Sequence, residues 1–107
     1  MEPVYLIPVT KEQFEKHFKK LARKWRKETE KNCSMTQINN HPAYLQIMEM
    51  GEPALPLIFS ELKLSPDWWF AALKQITGED PVPPEDRGHL TSMTNTWLAW
   101  GREKGLV

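Results

Sequence analysis

The residues able to carry acid–base, nucleophilic or metal chemistry in this 107-residue chain are three histidines (His17, His41, His89), one cysteine (Cys33) and two pairs of adjacent carboxylates, Glu79-Asp80 and Glu85-Asp86. Metal ligation needs donors at short, defined separations, and no CxxC, HxxxH or HExxH occurs, so no metal site is expected. Nor is there a GxGxxG, a P-loop or a GxSxG, and no cofactor is expected. The carboxylates flank the prolines of residues 81–84. They read either as a hard-cation or acid–base site or as a solvated connector whose charges favour the start of the next helix. The second reading is preferred, because charged proline loops are ordinary surface connectors. His41 precedes Pro42, where a polar residue caps a helix before it serves as a base. Cys33 lies near Lys31 without a histidine partner and reads as a plain thiol. No catalytic residue and no enzymatic activity are expected.

Aromatic and basic residues carry the remaining signal. Trp68 and Trp69 are about 100° apart on a helix, so one buried stripe does not take both. Trp68 is therefore expected at a groove rim with Phe70 or Trp100, beside the prolines Pro81, Pro83 and Pro84, anchoring a partner protein. The competing reading puts every aromatic in the core of a small domain, with Trp68 as the exception. A second cluster, Lys19, Lys20, Arg23, Lys24, Arg26 and Lys27, with Lys16 beside it, lies on one helix. It reads as a phosphate-contacting patch or as a solvated exterior, partly neutralised by Glu12 with Lys16, Glu15 with Lys19 and nearby Glu28 and Glu30. The zero net charge and a pI near 6.8 favour the solvated exterior, and nucleic-acid binding is the alternative function.

Such residues must be positioned by helices, since no segment reads as a convincing strand. The organising stretch is residues 51–78. Leu55, Ile58, Phe59 and Leu62 repeat at i, i+3, i+4 and i+7, and Trp69, Ala72, Leu73 and Ile76 do the same. Two short helices, opened by Pro53 and Pro66, are expected to face each other across a turn. Upstream, Thr10 and Gln13 have capping-box spacing, starting a helix whose seam is Phe14, Phe18, Leu21 and Trp25 and which ends near Lys31. Ser34 and Asn40 bracket a short helical turn. His41-Pro42 opens a helix with Tyr44, Ile47 and Met48 buried, stopped by Gly51. Residues 79–88 form a loop. A last helix from about His89 to Lys104 turns Leu90, Met93, Trp97 and Trp100 inward. Residues 1–9 read as an extended arm and residues 10–107 as a single all-α domain, a compact bundle of five or six helices.

Bulk properties agree. Five Trp, four Phe and two Tyr are enough to build one core without disulfides. A single cysteine fits a reducing compartment. The N-terminus lacks a signal-peptide pattern, and nowhere do about 18 apolar residues follow one another. A soluble, cytoplasmic protein that does not enter a membrane is expected. Charge is segregated. Residues 1–31 hold nine Lys/Arg against five Glu, and the remainder five against nine acidic residues.

Two resemblances add to this reading. MGEPALPLIFSEL followed by PDWWFAALKQITG resembles one HEAT-type helical repeat, which implies stacked helix pairs and a protein-binding surface with no catalytic residues. From Phe18 onward, HPAYLQIMEMG, ALPLIFSEL, PDWWFAALKQITGEDPVP and MTNTWLAWGREKG resemble an uncharacterised family of small bacterial proteins, frequent in cyanobacteria. That resemblance implies a bacterial, intracellular protein. By analogy with other small two-gene modules, it implies an antitoxin-like or regulatory partner of another protein. The expectation is a non-enzymatic protein–protein interaction module with HEAT-like helix pairing.

Overall fold

The computed structural model describes residues 10–31 and 34–107, so the expected arm and Cys33 lie outside the described residues. Among the described residues there are six α-helices and no strand: α1 (Lys11–Thr29), α2 (Met35–Asn39), α3 (Pro42–Met50), α4 (Leu55–Leu64), α5 (Phe70–Thr77) and α6 (Leu90–Glu103). Short 3₁₀ turns at Glu52–Ala54 and Pro84–Asp86 precede α4 and α6. The all-α bundle expected from the sequence is the observed architecture.

Local chemistry explains most of the boundaries. The Thr10 hydroxyl accepts from the Gln13 N–H at 3.0 Å while Gln13 Oε1 accepts from the Thr10 N–H at 3.1 Å, a complete capping box. α1 stops at Thr29, whose hydroxyl donates to the Trp25 carbonyl at 2.6 Å. His41 Nδ1 accepts from the Ala43 N–H at 3.1 Å, capping α3 as the His-Pro pair predicts. Gly51 and Gly78 end α3 and α5 at φ 73° and 74°, where a Cβ would be strained.

One boundary differs. Pro66 does not open a helix: α5 begins at Phe70, four residues later. Ser65, before the proline, is held extended at φ −154° and ψ 83°. Asp67 then takes the local donors. Its carboxylate accepts from the Trp68 N–H and its carbonyl from the Trp69 N–H, each at 2.8 Å. These bonds satisfy a turn before the helix can start.

The core is organised around Trp69, which is fully buried. Its ring lies 4.6 Å from Trp25, 5.7 Å from Phe18 and 6.0 Å from Tyr44, and Trp25 stacks on Tyr44 at 4.7 Å. Two helices, α1 and α3, and the turn before α5 thus meet in one aromatic cluster. α1 packs most extensively on α3, α3 also on α5, and α4 on α6. The helices on either side of the 65–69 turn, α4 and α5, do touch, but each has a more extensive partner elsewhere. Leu55, Ile58, Phe59, Leu62, Ala72 and Leu73 are buried as the periodicity requires. Each fully buried Leu, Ile or Phe contributes about 1.5–3 kcal/mol.

Candidate functional site

The aromatic edge expected at Trp68 is part of an open apolar groove of about 690 Å³. It is lined by Met35, Ile38 and Asn39 of α2, by Trp68, Phe70, Ala71 and Lys74 at and beyond the start of α5, and by Gly88 and Met93. Three hydrogen bonds fix its walls. The Trp25 indole N–H donates to the Ile38 carbonyl at 2.9 Å and seats α2 against α1. The Tyr44 hydroxyl donates to the Trp68 carbonyl at 2.8 Å and accepts from the Ala72 N–H at 3.0 Å, holding the entry to α5. Burial pushes the Tyr44 hydroxyl far above the usual tyrosine range; the Asp67 charge adds to the shift, and the Ala72 N–H opposes it. Trp68 and Phe70 meet edge to face at 5.8 Å and 84°. Phe70 is buried, Trp68 half-buried, and Met35 is 43% exposed, so the groove offers a rigid aromatic wall facing an adaptable thioether.

The other residues expected at this edge are placed differently. Pro81 and Pro83 are half-buried and Pro84 exposed, and none lines the groove. Their loop is folded onto itself: Val82 is buried, and Asp80 receives Arg87 at 3.0 Å and Lys74 at 3.5 Å. Only its end, at Gly88, reaches the groove. Trp100 stacks on Phe59 at 6.2 Å and meets Trp97 edge-on at 5.4 Å. It borders a separate cleft of about 300 Å³ with Glu52, Leu55, Pro56 and Thr77. The structure therefore unites Trp68 with Phe70 and separates both from Trp100 and the prolines.

Of the basic cluster, Lys19, Lys20, Arg23, Lys24 and Lys27 are exposed. Arg26 turns inward. Its guanidinium pairs with Glu61 at 3.1 Å and approaches Asp67 at 3.7 Å; it donates to the Ser65 hydroxyl and carbonyl at 3.0 and 2.8 Å, and lies 6.0 Å from the Trp69 ring. This fork ties α1 to the turn between α4 and α5.

His17 and His89 are exposed, while His41 meets a carboxylate: Nε2 donates to Glu28 Oε1 at 2.7 Å. Its Nδ1 already accepts from Ala43, so both ring nitrogens are committed to the α1–α3 junction. No group of three or more His, Cys, Asp or Glu suited to a metal occurs among the described residues. Likewise, none of the described helices is long and apolar enough to cross a membrane.

Sequence reasoning missed Met35, Ile38, Asn39, Ala71, Lys74 and Gly88 as groove residues. They come from three distant segments, and no local periodicity brings them together. Met93 was expected to face inward, and it does so as part of the groove. Compared with known proteins, the chain matches no protein family, no curated protein and no solved structure.

Proposed function

We propose that this chain is a non-enzymatic protein–protein interaction module of a bacterial cytoplasmic system, an antitoxin-like or regulatory partner that docks an apolar segment of another protein in the Trp68 groove. The observation that carries this reading is the half-buried Trp68 edge, braced by Phe70 and faced by Met35 and Met93 across a groove whose backbone walls are fixed by buried side chains. Rigid aromatic anchors in a formed groove lose little conformational entropy on binding, which is why they concentrate interface energy. Flanking methionines tolerate variation in what they cover.

The test is capture from a native bacterial lysate, with nuclease and without, using the wild-type chain and Trp68→Ala. A stoichiometric protein that survives nuclease and is lost with Trp68→Ala, while the variant keeps its helical content and melts cooperatively, supports the reading. Equal capture by the variant, or loss of the whole fold on substitution, removes Trp68 from the site.

A further inference from the structure

The outer face of α1 carries a row of cations that form no ion pair among the described residues. Lys16, Lys20, Arg23 and Lys27 stand at i, i+4, i+7 and i+11, and Lys19 and Lys24 flank them. All six are exposed, on the side of the helix opposite Phe18, Leu21 and Trp25. Glu12, Glu15 and Glu30, expected to neutralise this face, form no ion pair with it among the described residues, although Glu30 and Glu61 border the same cleft as Lys19, Arg23 and Lys27. The acids that do pair look elsewhere: Glu28 receives His41, Glu61 and Asp67 take Arg26, and Asp80 takes Lys74 and Arg87. The four-residue row spans about 16 Å at 1.5 Å per residue. Neighbouring charges therefore sit within one Debye length of about 8–10 Å and repel one another. The six side chains contribute nothing to the core, so they are free to meet a polyanion from outside.

We propose that this face binds the phosphate backbone of B-form duplex DNA without reading sequence, as a site separate from the Trp68 groove. Charge complementarity is the first argument. Residues 11–31 hold nine Lys/Arg against four Glu, and residues 32–107 five against nine acidic residues, so the molecule is polarised and presents α1 to a polyanion. Shape is the second. The row lies along a helix, a cylinder about 10–12 Å across, which suits a major groove about 12 Å wide and not the deep, narrow groove of duplex RNA. Composition is the third. No Phe, Tyr or Trp of α1 is exposed for stacking unpaired bases, and its apolar side is buried, leaving none to enter a bilayer. Five of the six cations are lysines, point charges suited to phosphate contact more than to forked base recognition.

The experiment is fluorescence anisotropy of the full chain with a labelled DNA duplex of about 20 bp between about 20 and 200 mM salt. Parallel arms use duplex RNA, single-stranded DNA and phosphatidylcholine vesicles with about one-quarter phosphatidylserine. Neutralising about five phosphates gives a slope of log K against log salt near −4.5 on duplex DNA. Lys20→Gln/Arg23→Gln, and independently Lys16→Gln/Lys27→Gln, reduce the slope by about 2, while Lys63→Gln on α4 leaves it unchanged. No binding at about 20 mM salt, a slope the stripe variants do not alter, or tighter binding to any other arm overturns the proposal.

Discussion

The Tyr44 hydroxyl on α3 donates to the Trp68 carbonyl at 2.8 Å, joining a fully buried core residue to the residue that forms the aromatic wall of the groove. The same oxygen accepts from the Ala72 N–H at 3.0 Å, so one side chain holds both the last residues of the turn and the first turn of α5. Helix starts leave backbone N–H groups without internal partners. No side-chain cap serves α5 at Trp69, and Tyr44, reaching across from another helix, supplies an acceptor to its first turn. The direction in which Trp68 faces is therefore coupled to the core stack of Tyr44, Trp25 and Trp69.

Tyr44→Phe keeps the ring in that stack and deletes the hydroxyl, leaving a buried N–H and a carbonyl without their partner. The expected loss is about 1–3 kcal/mol by urea titration near neutral pH. The pH dependence has a definite sign. Burial raises the folded-state pKa of Tyr44 above the unfolded value of about 10, so the folded state holds its proton more tightly. Its contribution is fully present below about pH 10, and above that pH it declines by about 1.4 kcal/mol per unit. The difference between wild type and Tyr44→Phe should narrow as pH rises from about 10 towards 12. A constant difference across that range would show that the hydroxyl is not buried.

Trp25→Phe tests how α2 is held. The substitution retains an aromatic ring beside Tyr44 and Trp69 but removes the N–H that reaches Ile38. α2 is only five residues long and has little intrinsic stability, so tertiary contacts keep it in place. Amides of α2 should exchange with solvent at least about tenfold faster in the variant, while those of α1 and α3 change less. Capture of a groove partner should weaken in parallel, because Met35, Ile38 and Asn39 form one wall. Unchanged exchange in α2 would assign its position to apolar packing alone.

These long-range ties explain what was legible in the sequence. Caps and apolar periodicity are local, so Thr10 with Gln13, His41 with Pro42, and the Leu55 to Leu62 stripe predicted their elements correctly. Pro66 misled because proline is equally at home in a turn, and Asp67 with its own hydrogen bonds settled the competition. Trp68 was legible as an aromatic off the main stripe. The rest of the groove was not, since Met35, Trp68 and Met93 come together only after α2 docks on Trp25 and α6 docks on α4. Arg26 looked like one more cation in a basic run. Its single-residue offset from the exposed row turns it towards Glu61 and Asp67 instead.

Gly101, inside α6, was the least legible of the packing positions, because a helix-interior glycine ordinarily marks only weak helix propensity. In the bundle it is buried, and a Cβ built there would lie 2.9 Å from Phe59 Cε1, 3.1 Å from Phe59 Cδ1 and 2.8 Å from Val107 Cγ2. Val107 is 43% exposed, so its side chain has room to rotate aside. Phe59 is 1% exposed and stacked against Trp100, so it has no room to yield. Gly101→Ala gains up to about 1 kcal/mol of helix propensity and incurs about 1–3 kcal/mol of overpacking against that ring. The single variant should be less stable than wild type by roughly 1 kcal/mol in thermal or urea unfolding. Relative to Phe59→Leu alone, adding Gly101→Ala should be neutral or stabilising, because the obstructing ring atoms are gone. The two substitutions should therefore couple by more than about 0.5 kcal/mol in a double-mutant cycle. Additive effects would show that α6 accommodates the methyl group by shifting as a whole, and that contact with Phe59 does not set the spacing of α4 and α6.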